Sequence, residues 1–424
     1  MIDLAARLKI ERLGQRGEGI AQGVHGLVFV PYALAGETVL AEVDGQRGHL
    51  AEVLVASPER IAAFCPHFGI CGGCAVQTLA APAYEAWKRD LLVQALQHAK
   101  INVPVGDLVD AHGSGRRRAS FHVRYDIRGN AKTGFMQARA HEIVEIDSCP
   151  ILAPSMRGAL AAARELATAL QASQKPLDMA VTASLSGLDI DIRGHGPLDA
   201  SATQRLIQIA ERHDLARLCN HGQLLVERRT PILRMGRADV SPPPGAFLQA
   251  TEAGELALAS RVEEALDGAN RVADLFAGVG TFALRLAETA RVHAVDTEEP
   301  SLAALAKAAR AVPGLQGVTI ERRDLFRRPL TPDELAAYDA VVFDPPRAGA
   351  EAQAKALASS TVRLVAAVSC NVQSFARDAA LLCAGGYDIA SVTPLDQFRH
   401  APHVEIIGVF RRPAVPKRKR RLLG

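Results

Sequence analysis

Charge of one sign is missing as a bulk property of this chain. Its 49 Lys and Arg stand against 46 Asp and Glu, and the formal net charge of +3 is too small a surplus to demand a polyanionic partner. Long apolar runs are missing too. No uninterrupted stretch approaches the roughly 20 residues needed to cross a bilayer, and the opening MIDLAARLKIERLG lacks the apolar core of a secretion signal. The expectation is a cytoplasmic protein with no membrane partner. Internal repeats are absent, and the one biased tract is the basic tail Lys417-Arg418-Lys419-Arg420-Arg421. Without a secretion signal, the 7 cysteines do not read as a disulfide framework and point to metal or catalysis.

What is present is a 424-residue chain, 48% apolar, long enough to bury several cores. It is expected to be a multidomain α/β protein and a monomer. Residues 1–56 read as short strands broken by glycine (LKIERLG, GIAQGV, LVFVPYAL, ETVLAEV, GHLAEVLVAS). That pattern fits a small β barrel, of the oligonucleotide-binding kind or another. Residues 57–245 begin with the cysteine-bearing loop CPHFGICGGC, continue as mixed α/β and end at the breaker SPPPG. Within them Trp87, Leu91, Leu92, Ala95 and Leu96 recur at helical spacing, as a core-facing stripe does. Residues 246–424 alternate apolar strands (RVADLF, RVHAVD, VTIE, DAVVF, VRLVAAVS) with helix-period segments, which implies a doubly wound, Rossmann-like parallel sheet. Ligands bind such sheets beyond the carboxyl ends of the strands.

Four strand ends carry chemistry-bearing residues. Asp274 to Thr281 (DLFAGVGT) is a glycine loop leading into a helix, and Asp296 ends the next strand, where a carboxylate can hold ribose hydroxyls. Gly278, Gly280 and Ala283 also satisfy a loose dinucleotide fingerprint. Asp274 would repel a pyrophosphate but attract the ammonium of S-adenosylmethionine, which favours the methyl donor. Asp324 is placed to reach an adenine amino group or to be a surface residue. Asp344-Pro345-Pro346-Arg347 follows a second buried strand, and Ser369-Cys370-Asn371 a third. Alone, Cys370 reads as readily as a small buried hydrophobe. With company it suits methylation at C5 of uracil, a carbon made nucleophilic by adding a thiolate to C6. Such a site needs a cysteine, a base and hydrogen bonds to the developing enolate. Glu405 in HVE is the candidate base. Gln249 in FLQ is a candidate cofactor anchor, and Phe247 packs against a flipped base or belongs to a core. A uridine inside an RNA helix must be extruded before it is reached.

Clumped basic residues supply phosphate attraction for RNA, or are solvated surface charges: Arg116-Arg117-Arg118, Arg322-Arg323, Arg327-Arg328 and the tail. Cys65, Cys71 and Cys74, with Cys149 before Pro150, suit either zinc or an iron-sulfur cluster.

In this order, CPHFGICGGC, FLQ, DLFAGVG, FDPPRAG, SCN with ARD, and HVE resemble the uridine-5-methyltransferases of ribosomal and transfer RNA, over nearly the whole chain. The resemblance implies a TRAM-like N-terminal barrel and a [4Fe-4S] cluster on Cys65, Cys71, Cys74 and Cys149. It implies Cys370 as nucleophile and Glu405 as proton-abstracting base. Gln249, Phe276, Thr281, Asp296, Asp324 and Asp344 would line the S-adenosylmethionine site, Phe247 and Asp344 the substrate. Val372, Thr251 and Thr281 depart from the usual residues of the motifs. Barrel and cluster together are similar to the 23S ribosomal RNA branch more than to the shorter transfer-RNA branch. Its rivals are a transfer-RNA uridine-5-methyltransferase, a cytosine-C5 RNA methyltransferase and a non-catalytic RNA-binding assembly factor.

Overall fold

The computed structural model describes residues 3–138, 140 and 142–413, with side chains from residue 6 onward. The basic tail lies outside the described residues. Strands Asp3–Leu13, Gly19–Gly23, Gly26–Val30, Arg47–Val55 and Thr38–Asp44 follow one another around a closed barrel. Its first strand pairs with both Gly19–Gly23 and Thr38–Asp44, so no edge is left open. Alternate residues point inward with the period of two of a pleated strand, and Ile10, Val28, Val30 and Val39 fill the interior.

A second, 7-stranded sheet has at its centre Arg118–Tyr125, Leu177–Ser184 and Gly187–Arg193. Phe121, Met179, Ile190 and Ile192 turn one face toward the helices Ala159–Ala169 and Ala200–Arg212, which bring Leu166, Leu206 and Ile209. The pleat sends Arg118, Ser120, His122, Ala180 and Thr182 to the other face, where they line a cavity.

The third layer is an 8-stranded sheet. Across it run Val318–Arg322, Arg291–Asp296, Arg271–Leu275, Ala340–Phe343, Leu364–Ser369, Glu405–Arg411, Asp388–Asp396 and Val109–Asp110. The first five are parallel, and Glu405–Arg411 runs antiparallel to its neighbours on both sides. This is the doubly wound sheet expected from the alternating pattern, with the barrel before it.

Segments preceding residue 246 also belong to this layer. Helix Ala81–His98 buries Trp87, Leu91, Leu92 and Leu96 against Phe375, Leu382, Val392 and Phe410. Strand Val109–Asp110 extends the sheet beside Asp388–Asp396. The hairpin Leu233–Met235 and Ala238–Val240 packs on Val279, Leu284 and Ala308. Chain order alone had assigned these to the central region. An apolar stripe settles where a complementary face exists, and here the 8-stranded sheet offers it. Among the described residues no helix is long and apolar enough to cross a membrane.

Candidate active site

The glycine loop leaves strand Arg271–Leu275 through Phe276, whose φ of 61° lies in the left-handed region that residues with a Cβ rarely occupy. Gly278 has φ 53°, and a Cβ built there would meet nothing within 4 Å. Open space beside the backbone is what a closely approaching ligand requires. Asp274 is fully buried, and neither of its oxygens has a hydrogen-bond partner among the described residues. Burial first, then the charges of Asp344 and Asp296, push its carboxyl well above the usual range, and the backbone N–H of Ala283, near it without meeting hydrogen-bond geometry, works against the shift. A fold keeps an orphaned buried carboxylate among acidic neighbours when a cationic group completes it.

Asp296 accepts from Gly278 N at 2.8 Å and Glu298 N at 2.9 Å, and so holds the loop against its own strand end. Phe276 packs against Phe326 with the rings tilted at 56° and centroids 5.4 Å apart. Asp324 accepts from Phe326 N at 3.0 Å and fixes the turn carrying that ring. The carbonyl of Thr281 is tied by Arg285 at 2.7 Å. Thr251 does not reach toward this site: its hydroxyl caps helix Glu252–Ala265 through Gly254 N and donates to Ala111 O.

Cys370 sits in the turn between the buried strand Leu364–Ser369 and helix Val372–Ala384. Asn371 caps that helix, accepting from Gln373 N at 2.9 Å and Ser374 N at 3.2 Å. The Pro-Pro turn is held from the same helix. Asp378 accepts from Ala350 N at 2.6 Å, and Arg377 donates to Ala348 O at 2.9 Å. A Cβ on Gly349, φ 78°, would fall 2.5 Å from Arg377 Nη2, which explains the glycine after Arg347-Ala348.

Around the thiol stand groups from several elements. Burial pushes Cys370 up to about 11; Glu405 and Asp344 reinforce this with like charge, and Arg347 opposes it. Glu405 is 2% exposed and its carboxyl is raised well above the usual range by burial, then by Asp344. Asp344 is likewise raised by burial, while the amide of Gln249, donating at 2.8 Å, works against the shift.

Two neighbours were not legible as site residues. Arg118 lies over the Phe247 ring at 4.5 Å and is close enough to Cys370 and Glu405 for their charges to act on it. Gln397, 1% exposed, donates to Gln249 at 2.6 Å and to Glu405 at 2.7 Å. Phe247 is 66% exposed and no core residue.

The basic runs correct one sequence expectation. Arg117 is buried in an ion pair with Glu255, which also holds Arg285 at 2.8 Å, and Arg116 lies 5.7 Å over Phe398. Arg322 pairs with Glu299, and Arg323 with Glu321 and Glu334. Arg117, Arg322 and Arg323 are thus paired with acidic side chains, whereas Arg116 lies on a ring and Arg327 and Arg328 are exposed, so the runs are not one uniform stripe of unpaired charge.

A cavity of about 930 Å³ extends from Arg118 and His403 past Arg116 and Phe398 to Cys65, Cys71, Cys74 and Cys149. Each of Cys71, Cys74 and Cys149 is raised first by burial and further by others of these thiols. Among the described residues no group of three or more His, Cys, Asp or Glu side chains is set to hold a single metal ion. The thiols face a common space without converging on one point.

No family model matches the chain. It is 45% identical over 404 residues to an RNA methyltransferase of Brucella suis, covering 95% of this chain and 97% of that one. With an RNA methyltransferase of Agrobacterium fabrum it shares 44% over 408 residues, 95% of this chain and 98% of the relative. The 23S rRNA (uracil(1939)-C(5))-methyltransferase of Chromohalobacter salexigens is 34% identical, over 94% of this chain and 87% of its own length. Among solved structures, the Pyrococcus abyssi tRNA (uracil-54, C5)-methyltransferase in complex with S-adenosyl-L-homocysteine superimposes with a TM-score of 0.73 at 22% identity, over 95% of this chain and 99% of that one. The likeness to that structure is one of fold, whereas relatedness along almost the entire sequence carries more: this chain belongs to the RNA uridine-5-methyltransferase family.

Proposed function

We propose that this protein methylates C5 of a uridine in 23S ribosomal RNA, with S-adenosylmethionine as methyl donor and Cys370 as covalent nucleophile. The observation that carries the reading is the meeting of Cys370, Asp344 and Glu405, borne by three different strand ends, in one buried acidic site. The ribosomal substrate is supported by the Chromohalobacter relative, which is named for it.

The orphaned carboxylate of Asp274 and the open space at Gly278 fit the donor's ammonium and its close approach. When bound, the donor supplies an electrophilic methyl group. The residues of the chain do the rest. Cys370 rests as a thiol, and its proton passes to solvent at the partly exposed turn before addition, so Glu405 is left to act in the later step. The thiolate then adds to C6, and charge moves onto O4. Arg118, on the central sheet and within electrostatic reach of Cys370 and Glu405, is positioned to stabilise that charge. Asp344 suits the N3–H of uracil, a donor that the cytosine ring lacks at that position. Phe247 offers an exposed ring to an extruded base. After C5 is methylated, Glu405 takes its proton, the C6–S bond breaks, and the thiolate leaves.

The test uses 23S transcripts labelled in uridine or in cytidine. Label from the donor is expected in 5-methyluridine alone; methylated cytidine, or none at all, overturns the reading. Transcripts carrying 5-fluorouridine at the target are expected to leave a complex that survives denaturation, because fluorine cannot depart as a proton does.

We further propose a [4Fe-4S] cluster on Cys65, Cys71, Cys74 and Cys149. All four thiols line one cavity, and Arg116 lines it beside them, a cation next to what would be a negatively charged cluster. When bound, the cluster supplies a fully ligated cross-link between the 65–74 loop and Cys149. Anaerobic purification should give about four iron and four sulfide per chain. Tightly bound zinc without sulfide overturns the assignment.

A further inference from the structure

The amide of Gln397 touches both Gln249, on the cofactor side of the site, and Glu405, on the base side. Its Oε1 accepts from the backbone N–H of Ala250 at 2.8 Å. A backbone N–H can only donate, so this contact decides which way the amide faces. The Nε2 group is thereby turned to Gln249 Oε1 at 2.6 Å and Glu405 Oε2 at 2.7 Å, one hydrogen for each. With its oxygen committed, Gln249 presents its own Nε2 to Asp344 Oδ2 at 2.8 Å.

Resting on the reading of Glu405 as the base, we propose that Gln397 is a positioning residue that sets the direction of this hydrogen-bond chain. Both buried carboxylates, Asp344 and Glu405, are then presented with donors. The polarity runs outward from Gln397 in both directions, and a side chain without an amide cannot reproduce it. Gln397 is itself held firmly. The preceding residue, Asp396, accepts from the buried Lys88 at 2.9 Å and from Tyr84 Oη at 2.5 Å, both on helix Ala81–His98. Against Gln397 packs Gly254, where a Cβ would fall 2.8 Å from both its Cβ and its Oε1.

The groups facing Glu405 define what the contact does. Asp344, after strand Ala340–Phe343, disfavours its ionised form. Gln397 and Arg118, from the loop after Asp388–Asp396 and from the central sheet, favour it, and Cys370 faces it after strand Leu364–Ser369. Removing the amide donor therefore leaves Glu405 harder to ionise. The rate of proton removal should fall most at low pH and recover as pH rises.

The test compares Q397M and Q397E, both close in size to glutamine, with wild type and E405Q, by single-turnover methylation of uridine-containing 23S transcripts from pH 5 to pH 9. Thermal unfolding is followed alongside. The acid limb of the rate profile should move upward by about one to two pH units in Q397M. In Q397E it should move at least as far, since an added carboxylate donates to neither partner. Ordinary RNA should leave a covalent adduct in both variants at low pH. A uniform loss of rate with the acid limb unmoved, or wild-type behaviour in either variant, overturns the role of Gln397. E405Q separates the two claims: if it builds up adduct while the Gln397 variants do not shift the limb, only this inference fails. If E405Q shows no adduct, the base assignment fails and this inference falls with it.

Discussion

Cys370→Ala is expected to cut methyl transfer to uridine by roughly ten-thousandfold or more, the scale seen when a covalent nucleophile is deleted. Without the sulfur, C5 remains a poor nucleophile, and no other group at this strand end can add to C6. The fold should survive. Cys370 is partly exposed in a turn whose geometry depends on Asn371 and Ser369, neither of which binds the Cys370 side chain. Binding of the methyl donor, read by calorimetry, should be within a few-fold of wild type, because Asp274, Gly278 and Asp296 are untouched. The denaturation-resistant complex with 5-fluorouridine RNA should vanish. Undiminished methylation in the variant would remove the thiolate from the mechanism; lost donor binding together with a lowered unfolding temperature would mean that the substitution acted through structure.

Glu405→Gln is the second large effect and has a different signature. Adding the thiolate and receiving the methyl do not require this side chain, whereas removing the C5 proton does. Turnover should fall by roughly 10² to 10⁴, and the methylated RNA should stay attached to Cys370, visible as a slower-migrating species in a denaturing gel. Glutamine keeps the volume and can still meet Gln397, so a collapse of the buried site is not expected. Wild-type Glu405 works from a carboxyl that burial and Asp344 make reluctant to ionise, so its rate should rise with pH from the acid side. A raised proton affinity also makes the group a stronger base once ionised. An E405Q variant that turns over normally, without adduct, would assign proton removal to another group.

Much of this site was legible because a doubly wound sheet gathers the carboxyl ends of its strands on one side. Asp274, Asp296, Asp344 and Cys370 each follow an apolar strand, so the topology alone places them as neighbours. Other parts depended on long-range packing. Gln397 lies in a loop with no periodicity, and its importance comes from meeting Gln249 from far along the chain. Arg118 was counted within a run of three arginines. Neighbouring side chains of that run, which leads into strand Arg118–Tyr125, take different directions, so Arg117 is buried against Glu255 while Arg116 and Arg118 line the cavity. Sequence spacing identified the Trp87 stripe as core-facing but could not say which core. Asp324, read as a contact to adenine or a surface residue, also accepts from Phe326 N and fixes the turn bearing that ring, which spacing did not reveal.

The catalytic sheet draws its outermost strand, Val109–Asp110, and the helix covering one face, Ala81–His98, from far upstream of the residues they join. During synthesis the edge strand leaves the ribosome long before its partner Asp388–Asp396 exists. Trp87 can meet Gly14 early, but until the last strands are made Leu91, Leu92 and Leu96 lack Phe375, Val392 and Phe410, so the polypeptide must shelter part of this greasy surface through most of its translation. Severing the protein at the SPPPG breaker would not release an autonomous transferase, because the half that holds the sulfur would be missing its own lid and hem.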